Sequence, residues 1–319
     1  MGVKLSPVEA AKLKKIMEDP ALWCRNFVKI FDTATKKIVP FKPRNYQRDM
    51  LECQDLRQVF RLGRRCGKTT VMEAKALHQG FTHKNFMILF ITPYENQVMK
   101  IFQDLHDIID NSPLLKREVV RMKNNPYLIE LANGSRIKGF TTGASSGSGA
   151  ASVRGQRADW LYLDEVDYMA DGDYTTISMI ANERADIGIT ASSTPTGKRG
   201  TFYNMCKNPK MGFTEFFHPS QDNPAYTKEM DERNHAELTP SAYEHEILAE
   251  FGTEESGVFP KDKVDAARQQ MLYTYTRLSD SQLSRFGGHF PLSFVYENDN
   301  DRAPQNVFRC VGVNMILRY

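Results

Sequence analysis

The chain has 319 residues, of which 41% are hydrophobic and 25% are charged, and its formal net charge is +3. This length and composition are typical of a globular protein with one large α/β core or two smaller ones. A net charge this close to zero means that the chain as a whole is not strongly basic. Any contact with nucleic acid must therefore come from local patches of positive charge.

The five cysteines and seven histidines are scattered without short paired spacings. This pattern favours free thiols in a reducing compartment over a disulfide framework or a zinc site. No apolar stretch approaches the length that spans a membrane, and the N-terminus lacks the apolar core of a signal peptide. We therefore expect an intracellular protein with no membrane partner.

The N-terminal quarter of the chain is predicted to be largely helical. A first helix runs over 6–19, with Ser6 as its N-cap, and a second over 20–31. The segment 36–44 is basic and broken by prolines. A third helix opens at Asn45-Tyr46-Gln47 and runs to about residue 55.

A glycine-containing loop follows the first strong strand signal. Val59-Phe60 leads into the run 61–70, and a helix is predicted from Thr69 onward. Strand, loop and helix in this order form a cradle for phosphates, because loop N–H groups and the helix N-terminus attract anions. In this loop Lys68 would reach the outer phosphates and Thr69 would hold Mg²⁺. The residues predicted to bind nucleotide are Gly63, Arg64, Arg65, Cys66, Gly67, Lys68, Thr69 and Thr70.

The loop departs from the strict phosphate-binding pattern at one position. The pattern has a glycine five residues before Gly67, where this chain has Leu62, and the nearest glycine is Gly63. The motif is therefore a variant, and alone it is also compatible with a basic turn.

Strand and helix patterns alternate through the next hundred residues. A buried strand over 86–91 is followed by a helix over 96–109, and a hairpin is predicted over 129–138 around Asn133-Gly134. A Gly/Ser/Ala-rich loop covers 141–152. This alternation predicts a parallel sheet with crossover helices.

A second motif supports a nucleotide site. Leu161-Tyr-Leu-Asp-Glu-Val166 is an apolar run that ends in two carboxylates, as expected for a buried parallel strand that delivers acids to the ligand-binding edge of a sheet. Asp164 is predicted to hold Mg²⁺ through water, and Glu165 to orient or deprotonate the attacking water. A helix over 174–183, a strand over 187–191 and an acidic helical segment over 228–251 follow.

In order and type, these motifs resemble the ATPase domain of a phage large terminase, over about residues 20–260. The resemblance implies that Tyr46 and Gln47 contact adenine and that Arg64 contacts the γ-phosphate from the same subunit. Arg65 has no such counterpart in the family. The family's loop also tolerates a small residue at the position of Gly63.

The resemblance extends to two further elements. Ser152-Val-Arg-Gly155 is similar to the family's Arg-Gly element, which implies that Arg154 acts on the nucleotide of a neighbouring subunit, with Arg157 as the competing candidate. Ser192-Ser-Thr-Pro195 is similar to the family's coupling motif, and Ser193 and Thr194 are its predicted sensors. Helicases of superfamily 2 carry a comparable element.

We therefore expect a P-loop α/β ATPase of the RecA-like class, with a mostly parallel sheet flanked by helices and a small helical lid. The predicted parts are an N-terminal helical segment (1–56), the ATPase core (57–219), a helical lid (220–256) and a linker with the start of an RNase H-like domain (257–319). The N-terminal helices are expected to join the lid. Phe308–Val313 resembles the first nuclease strand, but Asn314 follows and the chain ends at Tyr319, so no nuclease activity is expected.

The implied function is ATP hydrolysis, with Mg²⁺, coupled to movement of double-stranded DNA into a procapsid. The resemblance also implies a portal protein and a small terminase subunit as partners, and action in the host cytoplasm. It implies a homo-oligomeric ring on the procapsid and leaves open a monomer for the isolated chain. DNA binding should be independent of sequence and sensitive to salt. Two alternatives are a superfamily 2 helicase, for which 257–319 is too short to supply the second lobe, and a P-loop protein that binds without turnover.

Overall fold

A computed structural model describes residues 6–32, 35–143, 150 and 152–252 of the chain. The expected linker and nuclease-like strand beyond residue 257 lie outside the described residues, as does most of the Gly/Ser/Ala-rich loop. Within the described ranges, every helix is too short or too polar to cross a membrane.

The N-terminal region begins as predicted and then departs from the prediction. Helix α1 (Pro7–Glu18) starts after Ser6, whose hydroxyl accepts the Glu9 N–H in a capping box. Helix α2 (Pro20–Phe27) ends four residues earlier than predicted. The chain then forms strand β1 (Lys29–Asp32), which pairs antiparallel with β2 (Lys37–Pro40). The helix prediction was wrong here because this pairing with a later segment overrides the local helical pattern.

The remaining elements alternate between strands and helices. In chain order they are α3 (Asn45–Glu52), β3 (Arg57–Leu62), α4 (Lys68–Thr82), β4 (Met87–Thr92), α5 (Glu95–Asp110), α6 (Pro113–Arg117), β5 (Val119–Asn124), β6 (Tyr127–Leu131), β7 (Arg136–Thr141), β8 (Trp160–Asp164), α7 (Asp171–Ala181), β9 (Gly188–Ser193), α8 (Thr201–Lys207), β10 (Thr214–His218), α9 (Lys228–Glu237) and α10 (Pro240–Glu246). The hairpin predicted around Asn133-Gly134 is formed by β6 and β7.

Eight of these strands form one sheet in the order β10-β3-β9-β8-β4-β7-β6-β5. Neighbouring strands from β10 to β7 pair in parallel. At the other edge, β6 pairs antiparallel with β7, and β5 pairs antiparallel with β6. The predicted fold class, a mostly parallel sheet flanked by helices, is confirmed.

The core lies on both faces of this sheet, because successive side chains of a strand point to opposite faces. On β4, Ile88 and Phe90 belong to the cluster beneath α4 and α5, whereas Leu89 and Ile91 belong to the cluster beneath α7 and α8. On β8, Tyr162 faces the first cluster. Strands buried on both faces explain the continuous apolar runs in the sequence.

The N-terminal helices are part of this core and do not join the lid. Trp23, Met50 and Leu51 are fully buried in the same cluster as Leu77 of α4. Lys75 of α4 also donates to the carbonyl oxygens of Met50 and Cys53, near the end of α3. The expectation that these helices share a lid with 220–256 was therefore wrong.

The sheet places the predicted site residues at one edge. The parallel strands β3, β8 and β9 are neighbours, so their carboxyl ends meet. Their register sets Asp164 opposite Ser192 and Arg61 opposite Ser193. This is the edge at which open α/β sheets bind ligands.

Candidate active site

Two glycines shape the P-loop, which we define as residues 63–69. Gly67 precedes α4 in the left-handed region (φ +81°), and a Cβ there would lie 2.6 Å from Gln47 Nε2. At Gly63 a Cβ would lie 2.5 Å from both the Ile247 carbonyl oxygen and Ser220 Oγ. Relative to the strict pattern, the glycine of this loop is one residue later. It lies where the backbone of Ser220 and Ile247, in the segment predicted to form a lid, approaches the loop.

Lys68 and Thr69 begin α4 and are already paired with groups on neighbouring strands. Lys68 Nζ donates to Thr194 Oγ1 at 2.8 Å and to the Leu62 carbonyl at 3.2 Å. The Thr69 hydroxyl donates to Asp164 Oδ2 at 3.0 Å. Both predicted nucleotide-binding side chains thus lie beside the predicted metal and coupling residues.

Asp164 ends β8 with only 5% of its surface exposed. Its second oxygen, Oδ1, accepts the Ser192 hydroxyl at 2.5 Å and the Glu165 N–H at 3.1 Å. A carboxylate with this many donors stays oriented toward Thr69.

Glu165 is held in a strained conformation with φ +54°. Such strain in a non-glycine residue persists only where the surroundings determine it, and it clusters at functional sites. Ser193 Oγ donates to Glu165 Oε2 at 3.1 Å. Burial raises the pKa of Glu165, the charge of Lys68 lowers it and the charge of Asp164 raises it.

The predicted coupling residues join both halves of this arrangement. Ser193 contacts Glu165, and Thr194 contacts Lys68. One further residue that sequence analysis missed, Asp167, accepts two hydrogen bonds from Thr196 just beyond the motif. Burial raises the pKa of Asp167, and the bonds from Thr196 lower it.

Tyr46 and Gln47 lie under the P-loop. The Tyr46 hydroxyl donates to the Cys66 carbonyl at 3.0 Å, and Gln47 Nε2 donates to the same oxygen at 2.9 Å. Gln47 Oε1 accepts the Arg44 N–H at 3.0 Å. These buried side chains support the loop backbone, and their contact with adenine stays a prediction.

Arg64 lines the site from its outer side. Its side chain is 67% exposed and forms a two-point ion pair with Glu246, at 2.5 Å from Nε to Oε2 and 3.2 Å from Nη2 to Oε1. The Arg64 N–H also donates to the Glu246 carbonyl at 2.9 Å. The predicted γ-phosphate ligand is therefore bound to the end of α10, in the segment 220–256 that was predicted to form a lid.

Arg65 and Cys66 contribute mainly through their backbones. Arg65 has φ +62° and its carbonyl accepts Asn223 Nδ2 at 2.9 Å, while its side chain is exposed. The Cys66 thiol is buried beside the Pro219 carbonyl, and this burial raises its pKa. Such a thiol is unsuited to act as a nucleophile.

These residues surround a cavity of about 590 Å³. The cavity is lined by nearly the whole predicted loop together with Glu165 and Thr194. Four further lining residues were missed by sequence analysis: Tyr94, Gln97, Tyr168 and Glu246. Gln97 Oε1 is buried and has no hydrogen-bond partner among the described residues. Tyr94 and Gln97 follow the end of β4, so the strand-end rule used for Asp164 could have found them.

Arg154 does not line the P-loop cavity. It is exposed and borders a second cavity, also of about 590 Å³, with residues of α7 such as Thr175 and Met179. Within the described residues, no hydrogen bond or ion pair holds its side chain. Arg157 is 88% exposed and lies 4.0 Å from Glu183. Neither arginine is brought to the P-loop of its own chain.

The oxygen donors at the site fit a magnesium ion. Mg²⁺ prefers oxygen ligands and is usually held by one or two protein groups together with substrate phosphates. Thr69 Oγ1 and Asp164 Oδ2 lie 3.0 Å apart beside the loop. No cluster of three or more His, Cys, Asp or Glu suited to a metal occurs in the described part of the chain. Thr69 and Asp164 are the oxygen donors that could hold Mg²⁺ here, and the magnesium site stays a prediction.

Comparison with known protein families shows which family the chain belongs to. Residues 59–265 match the family model described as "Terminase large subunit, T4likevirus-type, N-terminal". The match covers well over half of the chain and includes every described element of the site except Tyr46 and Gln47. The chain belongs to this family. No curated protein matches the chain.

Solved structures of terminases share its fold. The large terminase ATPase domain of Thermus phage P74-26 is 19% identical with a TM-score of 0.55, and the match covers 66% of this chain and 94% of that one. The HK97 bacteriophage large terminase is 13% identical with a TM-score of 0.59, covering 73% and 55%. The large terminase of a thermophilic bacteriophage, in complex with ADP, is 13% identical with a TM-score of 0.52, covering 66% and 54%. The chain thus spans about half the length of the last two.

Proposed function

We propose that this terminase chain is an ATP-hydrolysing motor domain that couples hydrolysis to translocation of double-stranded DNA into a procapsid. The observation that carries the proposal is the convergence of Lys68, Thr69, Asp164 and Glu165 beside one P-loop cavity, through a direct hydrogen bond or through the adjacent coupling residues Ser193 and Thr194. Glu165 lines this cavity, and a carboxylate placed to activate water is a group that hydrolysis requires and nucleotide binding alone does not. Membership in the terminase family favours a packaging motor over a helicase.

In the proposed mechanism the loop N–H groups and Lys68 bind the β- and γ-phosphates of ATP. Arg64 exchanges Glu246 for the γ-phosphate. Thr69 and Asp164 would hold Mg²⁺, which would neutralise phosphate charge. Support for a nucleotide comes from the large terminase of the thermophilic bacteriophage, whose structures are in complex with ADP and with ATP-γ-S.

Glu165 is the proposed general base. It accepts a proton from water as the water oxygen attacks the γ-phosphorus, and the bond between that phosphorus and the β–γ bridging oxygen breaks to leave ADP and phosphate. Ser193 keeps the Glu165 carboxylate oriented, and the charge of Lys68 favours the ionised form that the base requires.

Arg154 of a neighbouring subunit is proposed to complete the site, because the arginine lies away from its own P-loop cavity. The active form would then be a homo-oligomeric ring that works with a portal protein and a small terminase subunit in the host cytoplasm. An arginine supplied in this way stabilises charge that develops on the transferred phosphoryl group.

The proposal is tested by phosphate release from ATP, with and without double-stranded DNA, at several salt concentrations. We expect release that requires Mg²⁺, that DNA stimulates, and whose stimulation weakens as salt rises, because phosphate contacts release counterions. A tailed duplex should not be unwound. Unwinding would favour the helicase instead, and nucleotide binding without phosphate release would reduce the chain to a binding protein.

A further inference from the structure

One buried carboxylate beside the site has no role in the proposed mechanism. Asp167 lies two residues after Glu165 and is only 4% exposed. Its Oδ2 accepts two hydrogen bonds from Thr196, at 2.6 Å from the backbone N–H and 2.7 Å from the hydroxyl. Short bonds to a carboxylate are the strong class of protein hydrogen bonds, so Asp167 fixes the segment that follows the coupling motif.

The backbone of Asp167 contacts the same motif at a second point. The Asp167 N–H donates to Ser193 Oγ at 3.3 Å, and this hydroxyl donates onward to Glu165 Oε2 at 3.1 Å. The turn after β8 and the turn after β9 are therefore joined twice, once through Ser193 and once through Thr196. Glu165 accepts a hydrogen bond from Ser193 at the first joint and lies two residues before Asp167, which forms the second. Because Glu165 also has a strained φ, which persists only where the surroundings determine it, its position depends on both joints.

The chain contains a second carboxylate–threonine pair that serves as an internal comparison. Asp171 Oδ1 accepts the Thr201 N–H at 3.1 Å and the Thr201 hydroxyl at 2.6 Å. The donors have the same chemistry and come from the same segment, 196–201. Asp171 is exposed, however, and in the described structure its hydrogen bonds do not lead to Glu165 or Ser193.

We infer that Asp167 is a positioning residue for hydrolysis, which holds the turn bearing Glu165 in register with the coupling segment 193–196. This inference rests on the proposed ATPase function and deepens it. Asp167 makes no contact with Lys68 or Thr69 among the described hydrogen bonds, so its loss should affect the chemical step and leave nucleotide affinity nearly unchanged.

The test compares Asp167→Asn with Asp171→Asn in the full chain. Phosphate release is measured against ATP concentration, ATP-γ-S binding is measured separately, and thermal unfolding reports on stability. We expect kcat to fall by about 30-fold or more for Asp167→Asn, since small misplacements of a catalytic group cost up to about 100-fold. For Asp171→Asn, kcat should stay within about 2-fold, and for both variants KM and the ATP-γ-S affinity should stay within about 3-fold.

Equal kcat values for the two variants would overturn the inference, as would a loss that appears only in KM. If Asp167→Asn does not fold, Thr196→Val and Thr201→Val decide instead, because each removes one hydroxyl donor from its carboxylate. A lower kcat for Thr196→Val alone supports the inference, and equal rates overturn it. Wild-type protein that releases no phosphate would contradict the proposed function as well, whereas an active wild type beside equal variants contradicts only the role of Asp167.

Discussion

The inner and outer parts of the P-loop site differ in what holds their residues. The inner part consists of Lys68 and Thr69 at the start of α4 and of Asp164 and Glu165 at the end of β8. Hydrogen bonds join these residues to one another or to Ser193 and Thr194 at the end of β9. In the outer part, Arg64 is exposed and paired with the lid, and Arg154 lies at another cavity. The inner residues are held by hydrogen bonds to one another and to the coupling motif, whereas the proposed roles of the outer residues require Arg64 to change partners and Arg154 to come from another subunit.

This difference separates two tasks. Groups fixed in advance stabilise a transition state without a reorganisation cost at the moment of reaction. Exposed ion pairs contribute about 0–1 kcal/mol, so a competing phosphate can displace them. The inner residues are therefore suited to chemistry, and the outer ones to sensing nucleotide, lid position and assembly.

The largest expected effect lies in the inner part. Glu165→Gln should lower kcat by about 100-fold or more while ATP-γ-S binding persists, because the base is lost and the phosphate ligands remain. Lys68→Ala should abolish turnover together with tight binding. Glu118→Gln, an exposed charge change before β5, serves as the control for phosphate release. Substantial turnover in either site variant would remove the role assigned to that residue.

A second prediction concerns assembly. The rate of phosphate release per subunit should climb with protein concentration, and Arg154→Ala should lower the rate of the assembled protein by about 100-fold or more, because arginine fingers supply large rate factors. Arg157→Ala, three residues away and also exposed, is the matched control. If Arg157→Ala alone collapses the rate, the finger is Arg157. A rate that is independent of concentration and insensitive to both changes would contradict the ring mechanism.

A third prediction uses the titration of Glu165. Burial raises the pKa of this carboxyl group, and the hydrogen bond from Ser193 lowers it. Since the base must be ionised, kcat should fall as pH drops through this pKa. Ser193→Ala removes the lowering bond, so the acid limb of the pH–kcat profile should move to higher pH. Ser178→Ala is the control, because the Ser178 hydroxyl donates only within α7, to the Thr175 carbonyl. An acid limb that stays in place for Ser193→Ala would contradict the assigned contact.

Much of the inner part could be predicted from sequence because it follows from local rules. Apolar runs identified β3 and β8, and parallel strands bring their carboxyl ends together, so Lys68 and Asp164 were expected to meet. The first helix was likewise predicted from its capping box. In each case the deciding signal lies within a few residues of the element that it specifies.

Most of the failures involve contacts between distant segments. The burial of α2 and α3 depends on partners that no local pattern names. The missed β1–β2 pairing is the exception, because it is local and places Asp32 opposite Lys37. In the sequence, nothing distinguishes Asp167 from other polar residues that follow a strand. Its partner Thr196 is 29 positions later. Likewise, Arg64 could be predicted as a phosphate ligand, but its partner Glu246 is 182 positions away and belongs to the lid.

That lid partner leads to the smallest predicted effect. Glu246→Gln frees Arg64 and removes a negative charge from the cavity, so ATP-γ-S should bind about 2- to 5-fold more tightly, which matches the loss of an exposed ion pair. Glu244→Gln is the matched control, because it makes the same charge change two residues away on the exposed side of α10. The gain should shrink at high salt, since screening weakens both the ion pair and the phosphate contact. Equal affinities for the two variants would show that Glu246 does not compete with nucleotide for Arg64, and Arg64 would then be a structural link to the lid.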